Sequence, residues 1–265
     1  MKVYISADIE GVTGVTHLDE IKKSEHDYSE FQEQMTNEVN AACKGALSAG
    51  ATEIFIKDAH GSGRNILGEK LPECVKLIRG WGEHPYGMLQ ELDKTFNAVL
   101  MIGYHSYAGS DQSPLSHTFN NNIYTIKING TLASEFILNS YTAALENIPV
   151  VFVAGDEGIC KQAKAFIKGI RTVSVKSGVG NSTINIHPQL AIQEIEDGVK
   201  QSLLSDISSL KIKLPARFKI EIELRNHLLA QKASYFPGVI RNGSQSITFE
   251  SDNYFEILRM LMFVV

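Results

Sequence analysis

Asp8 and Glu10 stand two residues apart at the end of an alternating run, Val3-Tyr4-Ile5-Ser6-Ala7-Asp8-Ile9-Glu10, so in a strand both carboxylates leave one face. His60 closes a second such run, Glu53 to Ala59, and His105 closes a third, Ala98 to Tyr104, which is apolar on both faces. In an open parallel sheet, ligands bind beyond the carboxyl ends of the strands. Three strand ends would therefore deliver two carboxylates and two imidazoles to one edge. That mixture of oxygen and nitrogen donors suits a borderline divalent cation such as zinc, with manganese and cobalt also compatible. Singly, each residue has an ordinary reading as a solvated strand end, a helix cap or a hydrogen-bonded histidine. It is their coincidence at strand ends that points to a metal site.

Such a site needs a sheet to carry it, and the rest of the pattern supplies one. Tyr28, Phe31, Met35, Val39, Ala42, Ala46 and Ala49 draw one apolar stripe along a helix closed by Gly50. Pro149 to Ala154 and Thr172 to Lys176 read as further strands, Cys74 to Arg79 as another, and Ile123 to Ile128 as an antiparallel addition. Helices are expected over Thr131 to Asn147, Asp156 to Lys168 and Pro188 to Leu204. Strands separated by helices make this an α/β chain, a mostly parallel sheet flanked by helices. After the polar stretch Ser205 to Ser209 the pattern changes to alternating strands and short helices. The expected division is a metal-binding catalytic domain over 1–206 and a smaller C-terminal α+β subdomain over 207–265.

Composition narrows the partners. A formal net charge of -5 supplies no broad cationic surface, which argues against nucleic acid or an anionic membrane as the partner. The first residues show neither the apolar core of a signal peptide nor a small-residue cleavage site, and no apolar run is long enough to span a bilayer, so a cytoplasmic protein is expected. Cys43, Cys74 and Cys160 are an odd number without a Cys-x-x-Cys pair and are read as reduced core residues. Gly61-Ser62-Gly63-Arg64 lacks the Lys-Ser/Thr ending of a phosphate loop and reads as a tight turn. His17, His26, His84, His187 and His227 read as surface or packing residues, and Trp81 as a loop anchor.

Ser6-Ala7-Asp8-Ile9-Glu10-Gly11 has the form Ser-x-Asp-x-Glu-Gly, and with it the chain resembles the DppA-type D-aminopeptidases, dizinc self-compartmentalising metallopeptidases. The likeness continues through Asp58-Ala59-His60, Gly103-Tyr104-His105, Ser116-His117 and Ala154-Gly155-Asp156, and thins beyond about residue 207. The resemblance implies two zinc ions per subunit, bridged by Asp8, with Glu10, His60, His105 and Glu135 completing the ligand set. Spacing alone would make Glu135 an ordinary acid in the first turn of a helix. The resemblance also makes His117 the active-site histidine. It implies a homo-oligomer as well, in this family a decamer that encloses its sites and admits short peptides.

Two divalent ions sharing a carboxylate sit roughly 3.5 to 4 Å apart in two-metal hydrolases and can hold one hydroxide between them. The expected reaction is metal-dependent aminopeptidase hydrolysis of short peptides, those beginning with D-residues included, by attack of that hydroxide on the scissile carbonyl. His117 is the candidate for the proton transfer, in preference to a nucleophilic role. Asp58, two residues before His60, is placed to orient that imidazole, with a surface acid as the alternative. Competing readings are a dinuclear hydrolase of another amide or a phosphoester, and a metal-stabilised assembly module without turnover.

Overall fold

In the computed structural model, which describes all 265 residues, strand β1 (Lys2–Ala7) lies in the interior of a sheet. It is hydrogen-bonded in parallel to β2 (Glu53–Asp58) on one side and to β4 (Ala98–Tyr104) on the other. With β3 (Val75–Ile78), β7 (Val150–Asp156), β8 (Arg171–Val179) and β9 (Ser182–Asn185) the order is β3-β2-β1-β4-β7-β8-β9. All pairs are parallel except the β8–β9 hairpin. Every residue of β4 and β7 is buried, as strands covered on both faces must be.

From β1 the chain steps to β2 through α1 (Tyr28–Ser48). From β4 it steps the opposite way, through α2 (Glu135–Leu145) to β7 and through α3 (Glu157–Phe166) to β8. Right-handed crossovers running in opposite directions put α1 on one face and α2 and α3 on the other. The reversal falls between β1 and β4, which makes their carboxyl ends the topological switch point. Helix α4 (Pro188–Leu204) packs along α1.

A second sheet, entirely antiparallel, has the order β11-β12-β10-β5-β6, from β5 (Ile123–Ile128), β6 (Thr131–Leu132), β10 (Phe218–Leu224), β11 (Ile240–Arg241) and β12 (Ser246–Ser251). Helices α5 (His227–Ala233) and α6 (Tyr254–Val264) pack against it. The strand at Ile123–Ile128 thus belongs to this sheet and not to the edge of the first. Residues 207–265 have no sheet of their own, because β10 pairs with β5. The core is shared too: the Tyr254 hydroxyl donates to the Leu138 carbonyl at 2.7 Å, and the Tyr141 ring meets Phe218 edge-on at 5.3 Å between centroids.

Helix α2 starts at Glu135, four residues later than the apolar pattern predicts. Asn129 and Gly130 both have positive φ, 50° and 81°, the two-residue turn of a tight hairpin. Thr131–Leu132 therefore returns as β6, and Ser134 then caps the helix by accepting from the Ile137 N–H. Cys43 and Cys160 are buried, whereas Cys74 is exposed and is not a core residue. No helix is long and apolar enough to cross a membrane.

Candidate metal centre

Beyond Ala7 the chain leans onto β4: the Asp8 N–H donates to the Ile102 carbonyl at 2.9 Å and the Gly11 N–H to that of Gly103 at 2.8 Å. Only glycine permits this approach. A Cβ on Gly11 would lie 1.9 Å from the Tyr104 carbonyl oxygen, and one on Gly103, at φ +71°, would lie 2.2 Å from that of Asp8. The two glycines let the ends of β1 and β4 touch, which brings Asp8 to His105. Ser6 secures the same junction, with its hydroxyl 2.8 Å from that of Tyr104 and donating to the Met88 carbonyl at 2.9 Å.

The five expected ligands converge. Asp8 lies between two imidazoles, with Oδ1 3.4 Å from His60 Nδ1 and Oδ2 3.4 Å from His105 Nε2. Glu10 Oε2 is 3.0 Å from the same His60 nitrogen, and Glu135 Oε2 is 3.5 Å from the same His105 nitrogen. Each ring is fixed through its other nitrogen. His60 Nε2 donates to the Ile21 carbonyl at 2.9 Å and His105 Nδ1 to the Ser106 carbonyl at 3.0 Å, since a carbonyl can only accept. In the neutral tautomers this leaves the lone pairs of His60 Nδ1 and His105 Nε2 facing carboxylate oxygens. His105 Nε2 is fully buried and has no hydrogen-bond partner.

Acceptors facing acceptors in a buried site call for a cation between them. The residues present therefore fit a pair of divalent ions, in two donor sets that share Asp8: Glu10 and His60 on one side, Glu135 and His105 on the other. Ligand atoms of Asp8, Glu10 and His105 lie within 4.8 Å of one another, as do those of His105, His117 and Glu135.

The electrostatics express the same demand in protons. Burial opposes a charge on His60, but Glu10 and Asp8 overcome it and push the pKa up to about 11. Burial likewise opposes charge on His105, and Glu135 and Asp8 raise its pKa well above the ordinary value. Burial disfavours the Glu10 and Glu135 carboxylates, yet His60 holds the first well below its usual range and His105 lowers the second. For Asp8, burial and the neighbouring Glu10 prevail and the pKa rises.

His117 reaches the centre from the loop after β4. Its ring stacks on that of His105, centroids 4.2 Å apart and planes at 14°, and Nδ1 donates to the Leu115 carbonyl at 2.9 Å. Nε2 is left facing a cavity of ≈ 380 Å³ that Asp8, Glu10, His60 and Glu135 also line, 3.8 Å from Glu135 Oε1. That carboxylate oxygen accepts the Phe119 N–H at 2.6 Å, and Phe119 holds a positive φ of 63° to deliver it.

Asp58 does not touch the His60 ring. Its carboxylate accepts from the backbone N–H groups of Asn65 and Ile66 and from the Asn65 amide, which also donates to the His60 carbonyl at 2.8 Å. It thus ties back the loop that follows His60, whose turn Gly61 and Gly63 make with positive φ. Two further supports had weaker signals in the sequence. Asp156 ends the apolar run of β7 as His105 ends that of β4, and it accepts from the Ser106 N–H at 2.7 Å and the Ser106 hydroxyl at 2.6 Å, fixing the residue to which His105 donates. Lys176 is buried and its ammonium donates to the carbonyls of Glu10 and Val15, both at 2.5 Å. Alternation with Val173 and Val175 would place Lys176 on the other side, but the β7–β8 register slips between Gly155 and Asp156 and turns it inward.

A parallel α/β sheet whose switch point presents two donor sets joined by one carboxylate defines a chain built to hold two divalent cations. A family model described as D-aminopeptidase matches residues 1–263, and the chain belongs to that family. It is 29% identical over 264 residues to a D-aminopeptidase of Bacillus subtilis (strain 168), covering 99% of this chain and 96% of that one. Among solved structures it is similar to the Zn-dependent D-aminopeptidase DppA from Bacillus subtilis, a self-compartmentalizing protease, with a TM-score of 0.93 and 28% identity over 99% of this chain and 96% of that chain.

Proposed function

We propose that the protein is a zinc-dependent aminopeptidase that hydrolyses short peptides, including those with an N-terminal D-residue. The observation that carries this reading is the partnerless, buried His105 Nε2 set against Asp8 and Glu135, mirrored across Asp8 by His60 and Glu10. Asp8, Glu10 and His60 would hold one ion, and Asp8, Glu135 and His105 the other. When bound, the pair supplies Lewis acidity toward the scissile carbonyl and activated water at neutral pH.

The chain's own groups do the rest. His117 Nε2, oriented by the Nδ1–H bond to Leu115, faces the cavity and is placed to accept a proton during attack on the carbonyl and return it to the departing amine. Its side chain is 18% exposed and opens on the cavity, where it can exchange a proton with a substrate. Such a group at the cavity wall is superfluous in a purely structural metal site, which argues against the assembly-module reading.

The chain is further assigned to a cytoplasmic homodecamer. The self-compartmentalizing character of the DppA structure it resembles supports the assembly, and three free, unpaired cysteines support the reducing compartment. The test is metal analysis joined to a panel of matched D- and L-aminoacyl peptides. Asp8→Ala should lose both ions and all activity. His117→Ala should keep both ions and lose activity; loss of one ion would make His117 a ligand, and full activity would remove it from the mechanism.

A further inference from the structure

The cavity beside the candidate metal centre does not end at the acidic side chains. Trp81, Phe119 and Asn120 line it and also line a second cavity of ≈ 310 Å³, whose wall is formed by Leu258, Leu261 and Met262 of α6. The Trp81 ring and the Phe119 backbone at this doorway are anchored to segments that carry proposed metal ligands. The Trp81 indole N–H donates to the Gly61 carbonyl at 2.7 Å, one residue after His60. The buried Lys57 ammonium lies 3.9 Å from the centre of the Trp81 ring and is itself tied to the carbonyls of Asp58 and Gly80. Phe119 is held by its N–H bond to Glu135 and by a left-handed backbone. Despite this anchoring, Trp81 and Phe119 remain 39% and 36% exposed. Large apolar rings held rigid and left in contact with water are the surfaces on which a ligand gains most.

We propose that the second cavity is the subsite for the residue that follows the scissile bond, and that it selects an apolar side chain gripped between Trp81 and Phe119. This deepens the aminopeptidase reading and rests on it for the direction of the peptide. The substrate's free amino group belongs at the metal-binding end of the first cavity, beside Asp8, Glu10 and Glu135. The next residue lies about 3.3–3.6 Å of chain further on, and the doorway leads it from the acids to the aliphatic wall of α6. Met262, half-buried near the end of α6, is part of this wall and offers a side chain whose volume can be changed.

The chain has a single tryptophan, so the emission of Trp81 reports occupancy of the doorway without turnover. Chelator-treated protein is titrated with Ala-Gly, Ala-Leu and Ala-Phe in D and L series, and kcat/KM is measured for the same peptides on the zinc-loaded protein. The expected result is a blue shift of Trp81 emission and at least tenfold tighter binding with Leu or Phe than with Gly, the same order holding in kcat/KM. Met262→Ala should move the preference toward Phe, and Met262→Phe toward Gly, read as the ratio of kcat/KM between the peptides within each variant. Equal binding of all three peptides, or preferences indifferent to residue 262, would overturn the subsite even if every peptide is hydrolysed. Selective binding without hydrolysis of any peptide would instead overturn the aminopeptidase reading and leave the subsite standing.

Discussion

Filling this site with divalent ions must expel protons. In the metal-free chain the neighbouring carboxylates push the His60 pKa up to about 11 and raise that of His105 well above its ordinary value, so both rings favour the protonated form. Nitrogen cannot hold a proton and a metal in the same lone pair, so loading both donor sets should release about two protons per chain, one from each ring. Apparent affinity for each ion should then rise about tenfold per pH unit across the neutral range. Calorimetric titration of chelator-treated protein, repeated in two buffers of different ionisation heat, gives the proton count directly. In His60→Gln the count should fall to about one. A count of zero alongside two bound ions would refute the reasoning, because the rings would then have been neutral while facing the carboxylates.

The same charges give the metal-free fold a pH signature. His60 has a raised pKa, so the stability it contributes is complete below its ordinary 6.5 and is lost as pH climbs toward about 11. Glu10 and Glu135 have lowered values, so theirs is present above their ordinary 4.5 and is lost as pH falls. The His60, Glu10 and Glu135 contributions therefore overlap between about pH 4.5 and 6.5, while Asp8, with its raised pKa, opposes folding increasingly as pH climbs. Thermal unfolding of chelated protein should show a falling midpoint from pH 6.5 to 10, and zinc should abolish that fall.

Two substitutions away from the ligands test how the site is held. Gly11→Ala places a methyl 1.9 Å from the Tyr104 carbonyl oxygen, so the β1–β4 junction must part; we expect a loss of about 1–3 kcal/mol in denaturant unfolding and weaker metal retention. Unchanged values would show that Gly11 does not set the approach of Asp8 to His105. Asp58→Ala strands two backbone N–H groups and the Asn65 amide, at about 1–3 kcal/mol for each donor left unsatisfied, and should lower zinc affinity through the freed His60 loop. If urea midpoints fall while metal binding is untouched, the carboxylate serves the fold alone.

Much of this centre is legible in one dimension because a strand end is a local feature. Alternation in Val3 to Glu10 and the apolar runs before His60 and His105 suffice to place four ligands at one sheet edge, and all four converge. Glu135 and His117 arrive by long-range routes. One depends on the Asn129-Gly130 hairpin and the Ser134 cap, the other on a loop tied by Ser106 to Asp156. No spacing rule marks either, and family resemblance alone singled them out. Asp58 misleads for a related reason: it shares a face with His60 in an ideal strand, but the chain turns back after Ala59 and returns two N–H groups to its carboxylate. The tail looked separable because its pattern changes near residue 207, whereas strand pairing does not respect that change.

The strongest case for resident cations comes from where the buried lysines point. Three carboxylates lie buried together here, an arrangement that costs heavily unless positive charge answers it. Two buried ammonium groups stand close by in the chain and in space, and neither answers. Lys57 donates to the carbonyls of Asp58 and Gly80, and Lys176, lowered to about 8 by burial, donates to those of Glu10 and Val15. Both hold backbone in place, and neither forms an ion pair with a site carboxylate. A fold that needed only to neutralise Asp8, Glu10 and Glu135 could have turned Lys176 one side chain further, onto the Glu10 carboxylate whose carbonyl it already grips. Keeping the fixed cations on the backbone preserves the acids for exchangeable ones, and His105 Nε2, set between Asp8 and Glu135, marks where one of them would bind.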